Sequence, residues 1–269
     1  MVIGLDLGAS AFKIAGLDGD KIAFMHTDSN RSCSADELLR SVLAENGVDI
    51  SEVSAIALTG VGAEKCSLNY GSLPATLVPE IIATGEGGTW LAKRDHAIVI
   101  SLGTGTALIL AENGKYSHVG GSGVGSGTLR GLSKKLFNIS SLFELFPIAE
   151  QGDRKKVDVQ IGDLFSGTDT LPLDLTASNL AKCRDDAEDK DWAAGIINMV
   201  LEVAGSHAVI ACGGYGIDTV IITGGLSRTQ LAQKCYQGFS ELYKLNYIIP
   251  QYSDCATAIG AARRVILGA

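Results

Sequence analysis

The amino-acid sequence predicts an α/β protein in which two similar domains face a common cleft. First, short apolar runs typical of strands alternate with longer stretches of helical periodicity. Second, each half opens with two apolar runs joined by a Gly/Ser/Thr turn, at residues 8–10 and 103–105. Third, no charged or Pro/Ser-rich linker separates the halves. We therefore predict domains at 1–95 and 96–254, with a helix at about 255–267 that packs back on the first domain.

The first half of the sequence predicts three strands followed by a helix, a fourth strand and a second helix. Asp18-Gly19 is a hairpin turn that leads from the second apolar run to the third. Glu37 follows Ser34 at the spacing of a helix capping box. Pro79 suits the first turn of a second helix, which ends near Leu91. The predicted strands cover residues 2–7, 12–17, 21–26 and 53–58.

The second half repeats this order with longer helices. Strands are predicted at 97–102 and 106–112, and Asn113-Gly114 is a further hairpin turn. A run of five glycines between positions 120 and 127 leads into a helix that carries Leu129. The remaining predictions are a long helix at 191–212, a buried strand at 219–222 and a helix from about Ser227.

Composition excludes several classes of protein. The chain has 269 residues, of which 46% are hydrophobic and 19% charged, so it can bury a core. Its net charge of -8 argues against binding to nucleic acid or to an anionic membrane surface. We identify no apolar run of membrane-spanning length and no signal peptide at the strand-like start. Six widely spaced cysteines favour reduced thiols, so a cytoplasmic location is expected.

The turn at residues 8–10 is the first candidate phosphate site. Asp6 lies on an apolar strand beside this turn, where a carboxylate can hold a magnesium ion, directly or through water. Gly8, Ala9 and Ser10 let backbone N–H groups approach phosphate oxygens. Lys13 on the returning strand supplies a positive charge for the same oxygens. An ordinary hairpin with a solvated Asp and Lys is the competing interpretation.

Three further glycine-containing turns are candidate nucleotide contacts. Thr104 and Thr106 offer hydroxyl groups at a second hairpin tip, which suit phosphate or a substrate hydroxyl, and a plain glycine-rich turn is the competing interpretation. The glycine run opens a helix whose N-terminus favours anions, without the Gly-Lys-Ser/Thr sequence of a P-loop. Thr223-Gly224-Gly225 follows a buried strand and leaves bare backbone for adenine or ribose. The residues proposed to contact the nucleotide here are Thr104, Gly125, Ser126, Gly127, Gly224 and Gly225.

One carboxylate is placed to act as a base. Glu80 begins a largely apolar helix, and a carboxylate beside a substrate hydroxyl is what phosphoryl transfer to an alcohol requires. Glu86 on the same helix is the competing candidate. The alternative interpretation is that Glu80 is an ordinary glutamate at a helix N-terminus with a structural role only.

Taken in order, these sites resemble the acetate kinase/sugar kinase/Hsp70/actin superfamily, and in finer detail the type II pantothenate kinases. The similarity spans nearly the whole chain. It is carried by Gly4-Leu5-Asp6-Leu7-Gly8-Ala9-Ser10 with Lys13, Leu58-Thr59-Gly60, Glu80 before Ala83, Leu102-Gly103-Thr104-Gly105-Thr106, Val119-Gly120-Gly121 through Gly127 and Gly131, Gly152-Asp153, Asp174-Leu175-Thr176-Ala177-Ser178-Asn179, and Ala258-Ile259-Gly260-Ala261.

This resemblance implies two actin-like, ribonuclease-H-like domains around a nucleotide cleft, and a kinase that uses ATP and Mg²⁺. The implied reaction is phosphorylation of the primary hydroxyl of pantothenate, the first step towards coenzyme A. Asp6 then lies at the phosphate and Mg²⁺ site, Lys13 contacts phosphate, and Glu80 is the general base. Thr104 lies near the transferred phosphoryl group. The resemblance also implies a homodimer with the long helix at 191–212 in the interface.

Two positions depart from the family pattern. His118 stands where the family usually has an Arg that meets the substrate carboxylate, and Ala107 stands where it usually has a Ser. Arg offers a permanently charged bidentate fork, whereas His is mostly neutral at pH 7. Pantetheine, which has the same hydroxyl and no carboxylate, is therefore an alternative substrate. Arg130 is another possible source of the charge.

Three other functions compete with this one. An N-acetylhexosamine-type kinase would usually show an acidic pair at a helix start, which we do not find. An ATPase that activates a dehydratase would need cysteines placed to hold an iron–sulfur cluster, and the six here offer no clear pair. A non-catalytic nucleotide or coenzyme A-ester sensor is favoured by His118 and Ala107, and opposed by Asp6, Lys13 and Glu80 together.

Overall fold

The N-terminal half is built on a mixed five-stranded sheet. The computed structural model describes residues 1–29, 34–66, 73–166 and 171–268. The strand order is β3-β2-β1-β4-β5, in which the first three strands are antiparallel and β4 and β5 run parallel to β1. The strands are β1 (Val2–Leu7), β2 (Phe12–Asp18), β3 (Lys21–Asp28), β4 (Ala55–Thr59) and β5 (Ala75–Leu77).

The C-terminal half repeats the same sheet. Its order, β12-β11-β6-β7-β8, again combines three antiparallel strands with two parallel ones. The strands are β6 (His96–Leu102), β7 (Thr106–Glu112), β8 (Lys115–Ser122), β11 (Thr219–Thr223) and β12 (Asn246–Ile248); β9 (Val159–Gln160) and β10 (Thr176–Ser178) form a separate small sheet. The predicted fold class, two α/β domains around a cleft, is confirmed.

Eight helices cover the two sheets in the described part of the chain. They are α1 (Ala35–Glu45), α2 (Glu80–Ala92), α3 (Ser126–Phe137), α4 (Leu142–Ala149), α5 (Ile161–Leu164), α6 (Asp189–Tyr215), α7 (Gln230–Tyr243) and α8 (Ala256–Ile266). The predicted capping box at the start of α1 is confirmed, since Ser34 accepts from Glu37 N while the Glu37 side chain accepts from Ser34 N. Leu38, Leu39 and Val42 of α1 are buried in the N-terminal core.

The long helix α6 is the core helix of the second half. It supplies a buried apolar face to the largest hydrophobic cluster, including Ile196, Val200 and Leu201. It is the one helix among the described residues that is long and apolar enough, by length and composition, to cross a membrane. However, 56% of its most apolar window is buried inside the molecule, as expected for the core of a globular domain.

Helix α8 lies far along the chain and packs against the N-terminal sheet. Ala258, Ile259 and Ala262 join Ala15 and Leu17 of β2 in one buried cluster. The chain crosses from the N-terminal half to the C-terminal half after α2 and crosses back before α8. Helices α2 and α8 therefore lie side by side where the two halves meet. The boundary at residues 95 and 96 itself stays a prediction.

Helices α2 and α8 touch through their backbones. A Cβ atom on Gly87 would overlap the carbonyl oxygen of Ala256, and one on Gly260 would overlap that of Ala83. Glycine is therefore required at this crossing. The hydroxyl groups of Thr84 and Thr257 lie 2.9 Å apart and share a buried hydrogen bond beside it.

Some predicted elements differ from the structure. Part of the glycine run belongs to β8, which ends at Ser122, so the run is a strand end rather than one long turn. Helix α7 begins at Gln230 instead of Ser227 because Thr229 caps it by accepting from Ala232 N. The described cysteines, Cys66, Cys183, Cys212, Cys235 and Cys255, are free thiols as predicted, and Cys33 lies outside the described residues.

Candidate active site

Asp6 lies in the middle of the N-terminal sheet, at the end that faces the cleft. Its register partners are Lys13 on β2 and Thr59 on β4, so the three side chains stand in a row on one sheet face. The Asp6 side chain is buried, and burial raises its pKa to about 6. Lys13 opposes this shift, and the negative charge of Glu80 adds to it. A carboxylate in this position gains from a bound cation that replaces the lost water.

The turn after β4 lies directly against this carboxylate. Gly60 has a φ of +89°, and a Cβ atom there would lie 2.6 Å from Asp6 Oδ1. Gly62 N donates to Leu7 O at 3.0 Å, which fixes the turn on the end of β1. The Thr59-Gly60 sequence therefore forms one wall of the Asp6 site.

The two predicted phosphate turns meet across the cleft. Ser10 lies in the β1–β2 turn and Thr104 lies in the β6–β7 turn, and their hydroxyl oxygens are 2.9 Å apart. The structure thus brings together two turns that are 94 residues apart in the chain. Thr106, by contrast, is buried and donates to Val124 O at 2.8 Å, so its hydroxyl is already engaged.

The glycines before α3 allow this helix to sit on the second turn. Ser126 N donates to Gly103 O and Gly127 N to Thr104 O, both at 2.9 Å. A Cβ atom on Gly125 would lie 2.6 Å from Thr104 O. Close packing against a neighbouring hairpin therefore explains these glycines, and two backbone N–H groups that we expected to face the nucleotide are bound to protein carbonyls.

An open cleft of about 750 Å³ lies between the halves and collects several predicted nucleotide residues. Ser10 and Lys13 line it from the N-terminal half, and Ser126 and Gly225 line it from the C-terminal half. Gly224, with a φ of +95°, packs against the backbone of Leu102 and lies behind this surface. Residues of the cleft that the sequence did not indicate for nucleotide binding are Arg130, Leu142, Phe143, Phe146, Arg228 and Asp254.

Glu80 is the first residue of α2 and its side chain is exposed. Because its charge acts on the buried Asp6, the two carboxylates lie at the same end of the cleft. Glu86, the competing base, is buried and fully engaged. It accepts from Arg263 Nε and from the Tyr116 hydroxyl, both at 3.1 Å, and lies 3.8 Å from Arg264 NH1. These partners make Glu86 a structural residue.

His118 and Ala107 lie on the face of the C-terminal sheet that packs on α2. His118 pairs with Ile109, and Ala107 lies between Ser101 and Gly121. Tyr116, two residues before His118 on β8, packs on α2 at Gly85. His118 is exposed. It lies two residues further along β8 than Tyr116, towards the end of the strand that is nearer to the contact between Ser10 and Thr104.

The residues at the Asp6 site suit a magnesium ion but do not form a complete protein cage. No group of three or more His, Cys, Asp or Glu side chains is positioned to hold a metal ion within the described ranges. Mg²⁺ commonly keeps several waters and binds through one or two carboxylates together with substrate phosphates. Asp6 and the neighbouring phosphate turn therefore fit a hydrated magnesium ion that arrives with a nucleotide.

Comparison with known proteins gives consistent results. The family model described as Fumble matches residues 96–243. The chain is 29% identical over 272 residues to the type II pantothenate kinase of Bacillus cereus, covering 96% of each chain. It is 30% identical over 234 residues to the type II pantothenate kinase of Bacillus anthracis, covering 82% of each.

Solved structures share the same architecture. The activator of the 2-hydroxyisocaproyl-CoA dehydratase from Clostridium difficile, with bound ADPNP, matches with a TM-score of 0.69 and 19% identity, covering 97% of this chain and 92% of that one. A ROK family glucokinase from Streptomyces griseus, in complex with glucose and AMPPNP, matches with a TM-score of 0.60 and 14% identity, covering 97% and 98%. These likenesses show the fold: two domains around a cleft.

Proposed function

Because this chain belongs to the type II pantothenate kinase family, we propose that it transfers the γ-phosphoryl group of ATP to the primary hydroxyl of pantothenate, the first step towards coenzyme A. The observation that carries this proposal is the contact between Ser10 and Thr104. This contact joins the turns at residues 8–10 and 103–105, Lys13 lies opposite Asp6 in the sheet, and the charge of Glu80 acts on Asp6, all of which supports the proposal. Phosphoryl transfer needs this combination of positioning groups, positive charge and a base.

In the proposed mechanism, Glu80 accepts the proton of the substrate hydroxyl while the hydroxyl oxygen attacks the γ-phosphorus. The bond from this phosphorus to the β,γ-bridging oxygen breaks, and ADP leaves with that oxygen. Lys13 and the turn of Gly8, Ala9 and Ser10 bind the phosphate oxygens. Thr104 lies beside the transferred group, and Ser126 and Gly225 face the nucleotide. Gly125, Gly127 and Gly224 support this surface from behind, where they pack on the backbone of the β6–β7 hairpin. Magnesium, held by Asp6 directly or through water, would neutralise the phosphate charge that develops during transfer.

The end of the substrate distant from the reacting hydroxyl is proposed to meet the surface around His118 and Ala107, which share one face of the C-terminal sheet. Thr106 is buried and donates to Val124 O, so it is proposed to support the β6–β7 turn and not to meet the substrate. Without the usual Arg, this surface binds a carboxylate less strongly, by about 1.5–3 kcal/mol for a lost charge-assisted hydrogen-bonded pair. His118 and Ala107 are therefore the specific observation that favours a second candidate substrate, pantetheine. Arg130, the other cation considered, lies in the nucleotide cleft with Ser126 and Lys13, which places it on the ATP side.

We further propose that the enzyme is a cytoplasmic homodimer. The long helix α6 is the proposed interface, and its exposed Ile210 and Tyr215 supply apolar surface for the contact. The proposed partners are thus a second copy and a small-molecule substrate, with ATP and Mg²⁺ as cofactors.

The test is a coupled ADP-release assay with Mg-ATP, run in parallel on pantothenate and pantetheine. Turnover on pantothenate is the expected result. Turnover on pantetheine alone would keep the mechanism and change the substrate. Silence on both substrates, with ATP binding retained, would contradict both proposed substrates and favour another acceptor or a nucleotide sensor.

His118→Arg provides the matched test of the substrate surface. Since Arg carries a permanent charge, the variant should increase turnover on pantothenate relative to pantetheine. An unchanged ratio of kcat/KM values for the two substrates would mean that His118 does not face the substrate tail.

A further inference from the structure

Thr59 carries a buried hydroxyl group without a partner. Its side chain is fully buried at the end of β4, and its Oγ1 atom makes no hydrogen bond to any residue that the structure describes. Buried hydroxyl groups in native proteins nearly always have a hydrogen-bond partner, because an unpaired one retains its desolvation cost. The unpaired group lies on the same sheet face as Asp6, its register partner on β1.

The second half of the molecule contains the matching position with its hydrogen bond made. Thr223 ends β11 as Thr59 ends β4, and it is likewise fully buried. Each threonine precedes a glycine with positive φ, +89° at Gly60 and +95° at Gly224. Thr223 Oγ1 donates to the carbonyl oxygen of Ile100 at 2.9 Å. The fold therefore allows a threonine here to satisfy its hydroxyl within the sheet, yet Thr59 does not.

The two positions differ in what stands beside them. The register partner of Thr223 is Ser101, whereas that of Thr59 is Asp6. The carboxylate of Asp6 leans towards β4, since its Oδ1 atom lies against Gly60, the residue after Thr59. The unpaired hydroxyl is thus next to the one buried carboxylate of this row, at the point where the two phosphate turns meet.

We propose that Thr59 is a positioning residue of the Asp6 site, whose hydroxyl completes its hydrogen bond when a magnesium–nucleotide complex is bound and then holds the Asp6 carboxylate, or a water on the ion, in place. The inference rests on the proposed function only in assigning a magnesium–nucleotide complex to this site. It assigns to Thr59 a role in ligand binding that costs stability in the ligand-free protein.

The test compares Thr59→Val, which keeps the shape and removes the hydroxyl, with Thr59→Ser, which keeps the hydroxyl. ADP binding is measured by calorimetry with saturating Mg²⁺ and again with EDTA. In the native protein Mg²⁺ should strengthen ADP binding. In Thr59→Val this gain should shrink by about 10- to 100-fold, the value of a hydrogen bond to a charged group, and Thr59→Ser should restore it.

Thermal unfolding without nucleotide gives the second readout. Thr59→Val should melt at the same temperature as the native protein or higher, since it removes an unpaired polar group. The control Thr223→Val should melt lower, because it removes a hydrogen bond that is made and leaves the Ile100 carbonyl unpaired. A drop in Thr59→Val as large as that in Thr223→Val would overturn the inference.

The binding experiment separates this inference from the proposed function. If native ADP affinity does not respond to Mg²⁺, the proposed magnesium role and the Thr59 inference both fail. If native affinity responds and Thr59→Val responds equally, only the Thr59 inference fails, and the proposed kinase site stands.

Discussion

Two glutamates on α2 have different surroundings, which suit the two identical side chains to different roles. Glu80 is exposed at the first residue of the helix, at the end of the cleft where Asp6 lies. Glu86 is buried and held by Arg263, Arg264 and Tyr116. A buried carboxylate held by two cations and a hydroxyl has little room for a substrate, whereas an exposed one can be reached by a substrate hydroxyl. The geometry therefore favours Glu80 as the base.

Glu80→Gln should reduce turnover by about 10²–10⁴, the usual contribution of a general base. Because the residue is exposed and does not line the cleft with Lys13 and Ser126, affinity for Mg-ADP and the melting temperature should remain close to native. The measurements are the coupled ADP-release assay, calorimetry and thermal unfolding. Full activity in this variant would assign the proton to another acceptor.

Asp6→Asn should stabilise the nucleotide-free protein at neutral pH. The pKa of Asp6 is raised from 3.8 to about 6 by burial, so between these values the folded protein binds a proton that the unfolded chain has released. The contribution of Asp6 to stability is therefore lost as pH rises through this range, by up to about 3 kcal/mol.

The measurement is the free energy of unfolding of native protein and Asp6→Asn at pH 4.5 and pH 7.5. The variant's advantage should be small at the lower pH and larger at the higher one. An advantage that does not change with pH would contradict the predicted titration of Asp6 in this window.

At this scale the sequence indicated two turns that the structure brings together, but not all of their partners. Ser10 and Thr104 are both in turns whose composition signals phosphate binding, and the structure joins them. The reason for Gly125 could not be predicted, because it lies in the close approach of a hairpin more than 20 residues earlier. Thr59 belongs to the Leu58-Thr59-Gly60 segment that carries the family resemblance, but the sequence assigned it no role, since its unpaired hydroxyl appears only when β4 is placed beside β1.

At the scale of elements, the crossing of α2 and α8 determines how the halves are joined. Gly87 and Gly260 allow the two helices to contact each other's carbonyl groups. At this contact backbone packs directly on backbone. Neither position therefore tolerates an added atom. Helix α2 also carries Glu80 at its start, so the position of the proposed base depends on how closely α2 packs against α8.

Gly87→Ala should therefore destabilise the protein strongly, despite the better helix propensity of alanine. The new Cβ would overlap the Ala256 carbonyl oxygen and force the helices apart. The matched control is Gly213→Ala in α6, where a Cβ meets nothing within 4 Å. The control should gain about 0.5–1 kcal/mol in the free energy of unfolding, measured with urea. Equal effects in the two variants would contradict the close approach.

Strands and helices with regular patterns were predicted well, and irregular ones were not. The hairpin strands and α1 are confirmed because their apolar periodicity and capping residues lie in the local sequence. β8 escaped prediction because it is mostly polar and ends in glycines, and its pairing with β7 shifts at Leu108 and Ile109. The small sheet of β9 and β10 has strands of only two and three residues, too short for a periodic signal.

At the scale of the whole molecule, Glu86 joins both halves through one buried network. Arg263 of α8 donates to Glu86, pairs with Asp20 and stacks over Trp90 at 4.5 Å. Tyr116 reaches the same carboxylate from the C-terminal sheet. The carboxylate therefore connects α8 and α2 to β8.

Glu86→Gln should lower the free energy of unfolding by about 1.5–3 kcal/mol, because Arg264 loses its counter-charge and Arg263 keeps only the exposed Asp20. The measurement is urea unfolding monitored by circular dichroism. Asp186→Asn is the control, since its ion pair with Arg184 is exposed on both sides and should contribute little. A small effect at Glu86, comparable to that at Asp186, would show that the network does not couple the halves.

The return of α8 to the first sheet has a consequence for synthesis on the ribosome. Strands β1, β2 and β4 emerge early, but the surface that covers them, including Ala258 against Gly4, lies beyond residue 255. The N-terminal half therefore cannot complete its core until translation has passed α8, and its apolar face stays open while the whole C-terminal half is made. Nascent chains halted before α8 should depend on chaperones and be degraded, even though every residue of both phosphate turns has already been made.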